Sequence, residues 1–429
     1  MLDYLKKKFY HFIPVSLQKQ LKAFILLAYG RMCLWLPIYR IEKDGLTVVL
    51  IGRKSQDPYF VQLLYGDYAD SQKVGSVFIW NINKTIQHWE KHADMILFRD
   101  HGVQPSGTIA RRMFNIPYYV SQTAKLPPVD GDLLAAFRDP STVSDINKIR
   151  KAGFEYHISN DPAQLEYFYH CMYKPFILSR HRDSARIPSW PSFKRIHENM
   201  ELLLITRAGE LVAGAMNFQN DDCYTGYANG VLNADRKLIK DGVVSAIYWF
   251  GMIDAHRRGY RTVNLGTSRP FLKNGVLAYK KKWGSQIIID ENEVEFKLLA
   301  CGNQLAAQRF FETTPFICKQ DNTLVSLVFL GPHVELNDKD LSSYLRACLF
   351  QGDHYSTWII LLSAEWASRT ETLQATVRGL AKSTRIINLS NGAWLDLPDL
   401  IRDFAATQAS RQNIVLASPK QPATTFTRH

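Results

Sequence analysis

The sequence predicts an α/β (α+β) chain: two mixed-sheet units followed by a small parallel α/β unit. Three observations predict it. Short β-branched and aromatic runs between residues 45 and 121 enclose one helical stretch; a strand, helix, helix, strands, helix, strand order runs from Phe154 to Leu265; and strands alternate with helices again beyond residue 335. The 429 residues divide accordingly into a basic segment (1–44), a first domain (45–135), a second domain (136–334), a small βαβαβ unit (335–417) and a tail (418–429). Apolar residues make up 46% of the chain, enough to fill those cores, which excludes large-scale disorder.

In the first domain, Gly45–Arg53, Tyr59–Leu64 and Gly75–Trp80 read as strands, Asn83–His92 as a helix, and Met95–Phe98 and Ile116–Ser121 as further strands. Leu126-Pro127-Pro128 stops any regular element. Asp139-Pro140 then opens a helix that ends at Gly153, with Lys148, Arg150 and Lys151 at its carboxyl end where cations meet the helix dipole favourably.

The second domain begins with the strand Phe154–Ile158. Asp161-Pro162 caps a helix running to Phe176, Ser192–Asn199 is another, and Glu201–Thr206, Leu211–Gln219 and Cys223–Gly230 form a three-strand meander turning at Ala208-Gly209. A long helix, Ile239–Arg258, leads to the strand Arg261–Leu265, and Ser285–Ile289 and Val294–Leu298 supply two more strands. Beyond residue 335, Trp358–Leu362, Glu365–Leu380, Thr384–Leu389, Leu397–Ala406 and Asn413–Ala417 alternate strand and helix. Ser363-Ala364-Glu365 stands where a phosphate loop would want glycines, so this unit reads as an accessory or partner-contact domain.

The formal charge of +12 suits an anionic partner: nucleic acid, a membrane face or a phosphorylated small molecule. Residues 1–43 hold eight Lys or Arg against two acids. Their apolar stretch, Leu17–Leu36, is broken by Lys19, Lys22 and Arg31 and lacks a small-residue cleavage site, which argues against a secretory signal and a membrane span. A basic amphipathic helix remains, either lying on the inner-membrane surface or packed on the protein's own body. The six cysteines, Cys33, Cys171, Cys223, Cys301, Cys318 and Cys348, are dispersed without a CxxC pair and read as reduced thiols of a cytoplasmic protein.

The chemistry-bearing residues concentrate after the meander. The helix start that includes Arg236, Lys237, Lys240 and Gly242 offers unpaired N–H groups and cations to a phosphate; an ordinary capped helix start uses the same residues. Asn264 sits at the end of the next strand and Ser268 and Arg269 follow it, where they orient a carbonyl or grip an anion, or else stabilise a turn. Lys280 and Trp283 close that loop as a cleft wall, a solvated charge run or a core plug, and Arg180 and Arg182 belong to a dense basic–aromatic stretch suited to gripping substrate. His88 and His92 lack HExxH or an acid pair, so no metal site is expected; Gly266-Thr267-Ser268 makes no GxSxG elbow.

Four pieces in order carry a family resemblance: Ser144 to Gly153, Gly209 to Ala215, Gly259 to Gly266, and Gly275 to Gly284 with its Tyr-Lys-Lys-Lys-Trp-Gly ending. Across residues 45–310 the chain resembles the FemAB-like and BioF2-like branch of the GNAT acyltransferase superfamily. The resemblance implies two GNAT-like mixed-sheet units, a cleft between central strands, and acyl-CoA or aminoacyl-tRNA as co-substrate with no permanently bound cofactor. It implies that the donor phosphate meets Arg236 to Gly242. Attack by an amine or hydroxyl would be aided by Asn264, by backbone N–H groups or Lys280 and Arg269 at the oxyanion, and by Tyr227 or Tyr279 as proton relay. The sequence departs from the family at Asn264, where relatives commonly carry an acid, and at the glycine-poor helix start.

The expected function is acyl or aminoacyl transfer to an amine or hydroxyl of a cell-envelope or polysaccharide-related precursor. Two alternatives stand beside it: a nucleic-acid-binding module on a degenerate GNAT-like fold, for which no recognised motif is present and DNA is not expected, and a noncatalytic membrane-associated assembly protein. The spatial expectation is that the helix start and the residues beyond Leu265 converge on one ligand.

Overall fold

The computed structural model describes residues 35–43, 45–52, 71–99, 104–137, 139–181, 185, 187–197, 200–220, 223–289, 295–301, 304–320, 323–352, 355–378, 383–390 and 397–416. The expected strand at 59–64, Arg182, the basic segment up to residue 34 and the tail lie outside them.

The chain opens with β1 (Trp35–Lys43), β2 (Leu46–Ile51), β3 (Ser71–Phe78), α1 (Ile82–Trp89), β4 (Met95–Arg99), α2 (Gly107–Arg111), β5 (Phe114–Pro117) and β6 (Val120–Lys125). It continues with α3 (Pro140–Ala152), β7 (Phe154–Ser159), α4 (Pro162–Tyr167), a π-helical stretch (Phe168–Tyr173), α5 (Lys174–His181) and α6 (Trp190–His197). The meander β8 (Glu201–Arg207), β9 (Glu210–Asn220) and β10 (Cys223–Val231) is followed by α7 (Arg236–Lys240), α8 (Val243–Arg257), β11 (Thr262–Ser268), α9 (Gly275–Lys281), β12 (Ser285–Ile288) and β13 (Glu295–Ala300). The last part holds α10 (Gln304–Thr313), β14 (Phe316–Gln320), β15 (Thr323–Leu330), α11 (Asp338–Cys348), β16 (Tyr355–Leu361), α12 (Ala364–Ser368), α13 (Thr370–Arg378), β17 (Thr384–Asn388) and α14 (Leu397–Leu416).

These elements build three mixed sheets in an α/β fold: β3-β1-β2-β4-β13-β5, β12-β6-β11-β10-β9-β8-β7 and β14-β15-β16-β17. The sheets cut across the boundaries expected at residues 44, 135 and 334. Trp35–Lys43, placed in the basic segment, pairs antiparallel with both β2 and β3. The run expected as one strand, Ile116–Ser121, is split near Pro117, which has no N–H to give a ladder. Its first part pairs with β13, whereas β6 enters the second sheet between β11 and β12. The third sheet starts at Phe316 rather than after residue 334, and Asn413–Leu416 is helix instead of the expected strand.

Two local features set up the functional region. The expected helix Ile239–Arg258 is broken at Asp241-Gly242: Gly242 adopts φ +98°, a left-handed turn that glycine enters without a side-chain clash, and α8 begins at Val243. Asp241 is tied to Arg207 at 2.8 Å. α8 is buried on most sides because it packs on the seven-stranded sheet and against α3, so its apolar residues do not form a single stripe. α3 itself starts as the sequence predicts, with Asp139 accepting from the Ser141 N–H at 2.8 Å, and ends at Gly153 with φ +69°.

The second feature is the π-helical stretch, which interrupts the single helix expected from Asp161 to Phe176. β10 crosses it so closely that a Cβ on Gly230 would sit 2.6 Å from the Tyr173 backbone nitrogen. This contact seats Tyr173 above the end of β10.

Candidate functional site

β10 and β11 are parallel but stay paired through only three residue pairs, Cys223–Thr262, Tyr224–Val263 and Thr225–Asn264. Past them, β11 shifts register against β6 after Asn264, and β10 bulges at Tyr227 against β9. The strands part, and Gly226–Asn229 on one side and Leu265–Thr267 on the other border a cavity of about 630 Å³. Tyr173 and Arg180 wall it from above, Ile239, Val244, Ser245 and Tyr248 from the crossover helices, and Tyr279 and Lys280 from α9. Among the described residues that line it are two cations, Arg180 and Lys280, and no Asp or Glu, a lining that suits an anionic ligand.

Lys280 is 4% exposed. Its Nζ donates to the Thr267 carbonyl oxygen at 2.8 Å, and burial, without a carboxylate beside it, pushes its pKa from 10.5 down to about 7. Near neutral pH such an amine can hold or release a proton, a property that an exposed lysine lacks. α9 presents it: Asn274 caps the helix, accepting from the Val276 and Leu277 N–H groups at 3.0 and 3.1 Å.

Tyr279, the preceding residue, meets Ser245 hydroxyl to hydroxyl at 2.8 Å, and Ser245 Oγ donates to Asp145 Oδ2 at 2.6 Å. Burial pushes the Tyr279 phenol up to about 12, so it stays protonated. Asp145 is also paired with Lys282, whose ammonium lies 4.1 Å from the centroid of the Tyr279 ring.

The structure sorts the candidates read from the sequence. Asn264, Tyr227, Tyr279, Lys280 and Arg180 line this cavity together. Asn264 does so while bracing a turn, its Oδ1 accepting from the Gly266 N–H at 2.8 Å. The others are placed elsewhere. Ser268 is buried and donates to Gln122 Oε1 at 2.7 Å, while Arg269 is stacked over Tyr118 and Tyr119, its Cζ 4.1 and 4.4 Å from their ring centroids. Trp283 is fully buried in the core behind Tyr248, to which it is nearly parallel at 6.2 Å. Arg236, Lys237 and Lys240 are exposed on α7 beside the cavity rather than in its wall, and Gly242 is the joint that starts α8. The convergence of the helix start with the residues past Leu265 is therefore found at Ile239, Val244 and Ser245, not at those cations.

Sequence reading missed Asp145, Ser245 and Gln122. Gln122 is fully buried on β6, where its Nε2 donates to Leu277 O at 3.1 Å and to Ser285 Oγ at 3.0 Å; Ser285 in turn donates to Lys280 O at 2.9 Å. It thereby ties α9 to the sheet. A polar residue just past the expected strand and among small residues, Ser121-Gln122-Thr123-Ala124, was the only available signal. Among the described residues no helix is long and apolar enough to cross a membrane, and no cluster of three His, Cys, Asp or Glu could hold a metal ion.

No family model matches the chain, and none of the curated proteins does. Among solved structures it is similar to FemX, at 13% identity over 63% of this chain and 90% of that one with a TM-score of 0.33. It is similar as well to L-PGS from Bacillus licheniformis, at 11% identity, 63% and 83% coverage and a TM-score of 0.33. A tandem GNAT protein from the clavulanic acid biosynthesis pathway is a third, at 11% identity, 63% and 80% coverage and a TM-score of 0.25.

Proposed function

We propose that the chain is an acyltransferase that moves an acyl or aminoacyl group from an activated donor to an amine or hydroxyl of an anionic acceptor. The observation that carries this reading is the wedge between β10 and β11 with Lys280 buried beside it. Strand edges that part within a fold leave backbone donors and acceptors to be satisfied by a ligand, and an extended acyl-donor arm laid along β10 satisfies them as a strand would. The N–H groups of Val243, Val244 and Ser245, ahead of the first α8 hydrogen bond from Ala246 to Gly242, offer partners to the donor's phosphate. Arg236, Lys237 and Lys240 beside them add long-range attraction.

In this reading the wedge aligns donor and acceptor, which by itself removes much of the barrier of a bimolecular step. The Lys280 ammonium stabilises the oxyanion that forms at the donor carbonyl and then protonates the departing sulfur or oxygen. Arg180 holds the anionic acceptor, for which a cell-envelope or polysaccharide-related precursor is the class expected from the sequence. A cytoplasmic location with peripheral membrane contact through the basic amino-terminal segment accompanies that assignment.

The test is turnover of acetyl-CoA, long-chain acyl-CoA and aminoacyl-tRNA by the full chain, read as thiol release or tRNA deacylation, with anionic amine acceptors added. Acceptor-dependent release from one donor class supports the assignment. Absence of release and of binding with all three at millimolar acceptor removes it.

A further inference from the structure

Resting on the transferase reading and deepening it, we propose that Asp145 and Ser245, acting through Tyr279, form the path by which the acceptor's proton leaves the cavity.

Tyr279 and Ser245 line the cavity, and Asp145 on α3 stands behind them. A carboxylate only accepts hydrogen bonds, so the single hydrogen of Ser245 is committed to Asp145 at 2.6 Å. Ser245 must then accept from Tyr279 across the 2.8 Å contact. The phenol hydrogen is thus turned inward, and of the two lone pairs on the Tyr279 oxygen one faces the Trp283 indole N–H, which leaves the other for the cavity that Tyr279 lines. A tyrosine bonded in this direction receives a proton rather than giving one.

The step balances. As the acceptor nitrogen bonds to the donor carbonyl carbon, its proton passes to the Tyr279 oxygen, the Tyr279 proton to Ser245, and the Ser245 proton to Asp145. The bond from that carbon to the leaving sulfur or oxygen breaks, and the leaving group takes its proton from the Lys280 ammonium. Transfer of a proton from Asp145 to Lys280 by way of solvent restores both. Lys282, paired with Asp145 and lying over the Tyr279 ring, adjoins the chain without carrying the proton.

The competing explanation is that Asp145 merely ties α3 to α8, and the experiment separates the two. The full-length variants Asp145→Asn, Ser245→Ala and Lys282→Gln are compared with wild type. A relay predicts that the first two lose about 100-fold in kcat with KM changed less than about twofold, and that Lys282→Gln loses less than about tenfold. Equal losses in Lys282→Gln and Asp145→Asn, or a loss confined to KM, overturn the relay.

A second readout needs no turnover. 3,5-Difluorotyrosine placed at position 279, whose ring fluorines bring the phenol titration toward neutral pH, is followed by fluorine NMR. Tyr279 is faced by Asp145, Lys282, Arg180 and Tyr248. The Asp145 carboxylate charge opposes ionisation of the phenol, so Asp145→Asn lowers the titration midpoint by about one unit if the two groups face each other as the relay requires. An unmoved midpoint overturns the relay, whereas a wild-type chain that turns over no donor overturns the transferase reading on which it rests.

Discussion

Lys280 Nζ and the Thr267 carbonyl oxygen are joined at 2.8 Å across the mouth of the β10–β11 wedge, and that bond is what holds a buried amine at the cavity edge. The carbonyl belongs to the segment where β11 leaves β10, so the backbone divergence and the lysine's position are one feature.

Lys280→Met keeps the length of the side chain and removes the amine. It is expected to lower kcat by about 100-fold to 1000-fold, the range seen when a preorganised oxyanion donor is lost, with a much smaller change in KM. Steady-state kinetics with the identified donor checks it.

The same substitution changes stability in the opposite direction. The folded chain lowers the pKa of Lys280 from 10.5 to about 7, so between these pH values the unfolded chain binds more protons and stability rises with pH. The penalty is fully present below pH 7. Lys280→Met is expected to raise the melting temperature at pH 6–7 by relieving a cost on the order of a few kcal/mol, and to flatten the rise. A residual slope remains from Lys281, which burial lowers to about 8. Thermal melts of both proteins across that range check the sign.

Gly230→Ala is expected to destabilise the chain by about 1–3 kcal/mol, because the added methyl meets the Tyr173 nitrogen at 2.6 Å and the Met172 carbonyl carbon at 2.7 Å, both backbone atoms. Relief requires moving the π-helical stretch, and with it Tyr173 in the cavity wall. Chemical denaturation together with KM for both substrates reads the two consequences.

Gln122→Leu strands the Ser268 hydroxyl and the Leu277 carbonyl in the core, at about 1–3 kcal/mol for a buried polar group left without its partner. Because Gln122 also reaches Ser285, which holds the last turn of α9, kcat is expected to fall more than stability alone accounts for. Assay well below the melting temperature distinguishes the two effects.

The second sheet was legible where local chemistry decides it. Asp139-Pro140, Asp161-Pro162 and Ala208-Gly209 fixed the entry to two helices and a hairpin, and the meander followed. Long-range pairing was not legible: nothing local tells β6 to join β11 and β12, or Trp35–Lys43 to join β2. The site followed the same division. Lys280 and Tyr279 stood out as polar residues near a strand end, but Asp145 reaches Ser245 from 100 residues away, which only the packing of α3 on α8 brings about. The stack of Arg269 was not legible, because an arginine after a strand suits an anion and an aromatic stack equally well, and Tyr118 and Tyr119 arrive from a distant strand connection.

Hydrogen exchange at the wedge tests the central claim most directly. With the full chain incubated with acetyl-CoA, long-chain acyl-CoA or aminoacyl-tRNA in turn, a bound donor is expected to slow exchange at the amides of residues 226–231 and 264–267 together. Protection confined to another surface, with these amides exchanging as in the unliganded chain, contradicts it.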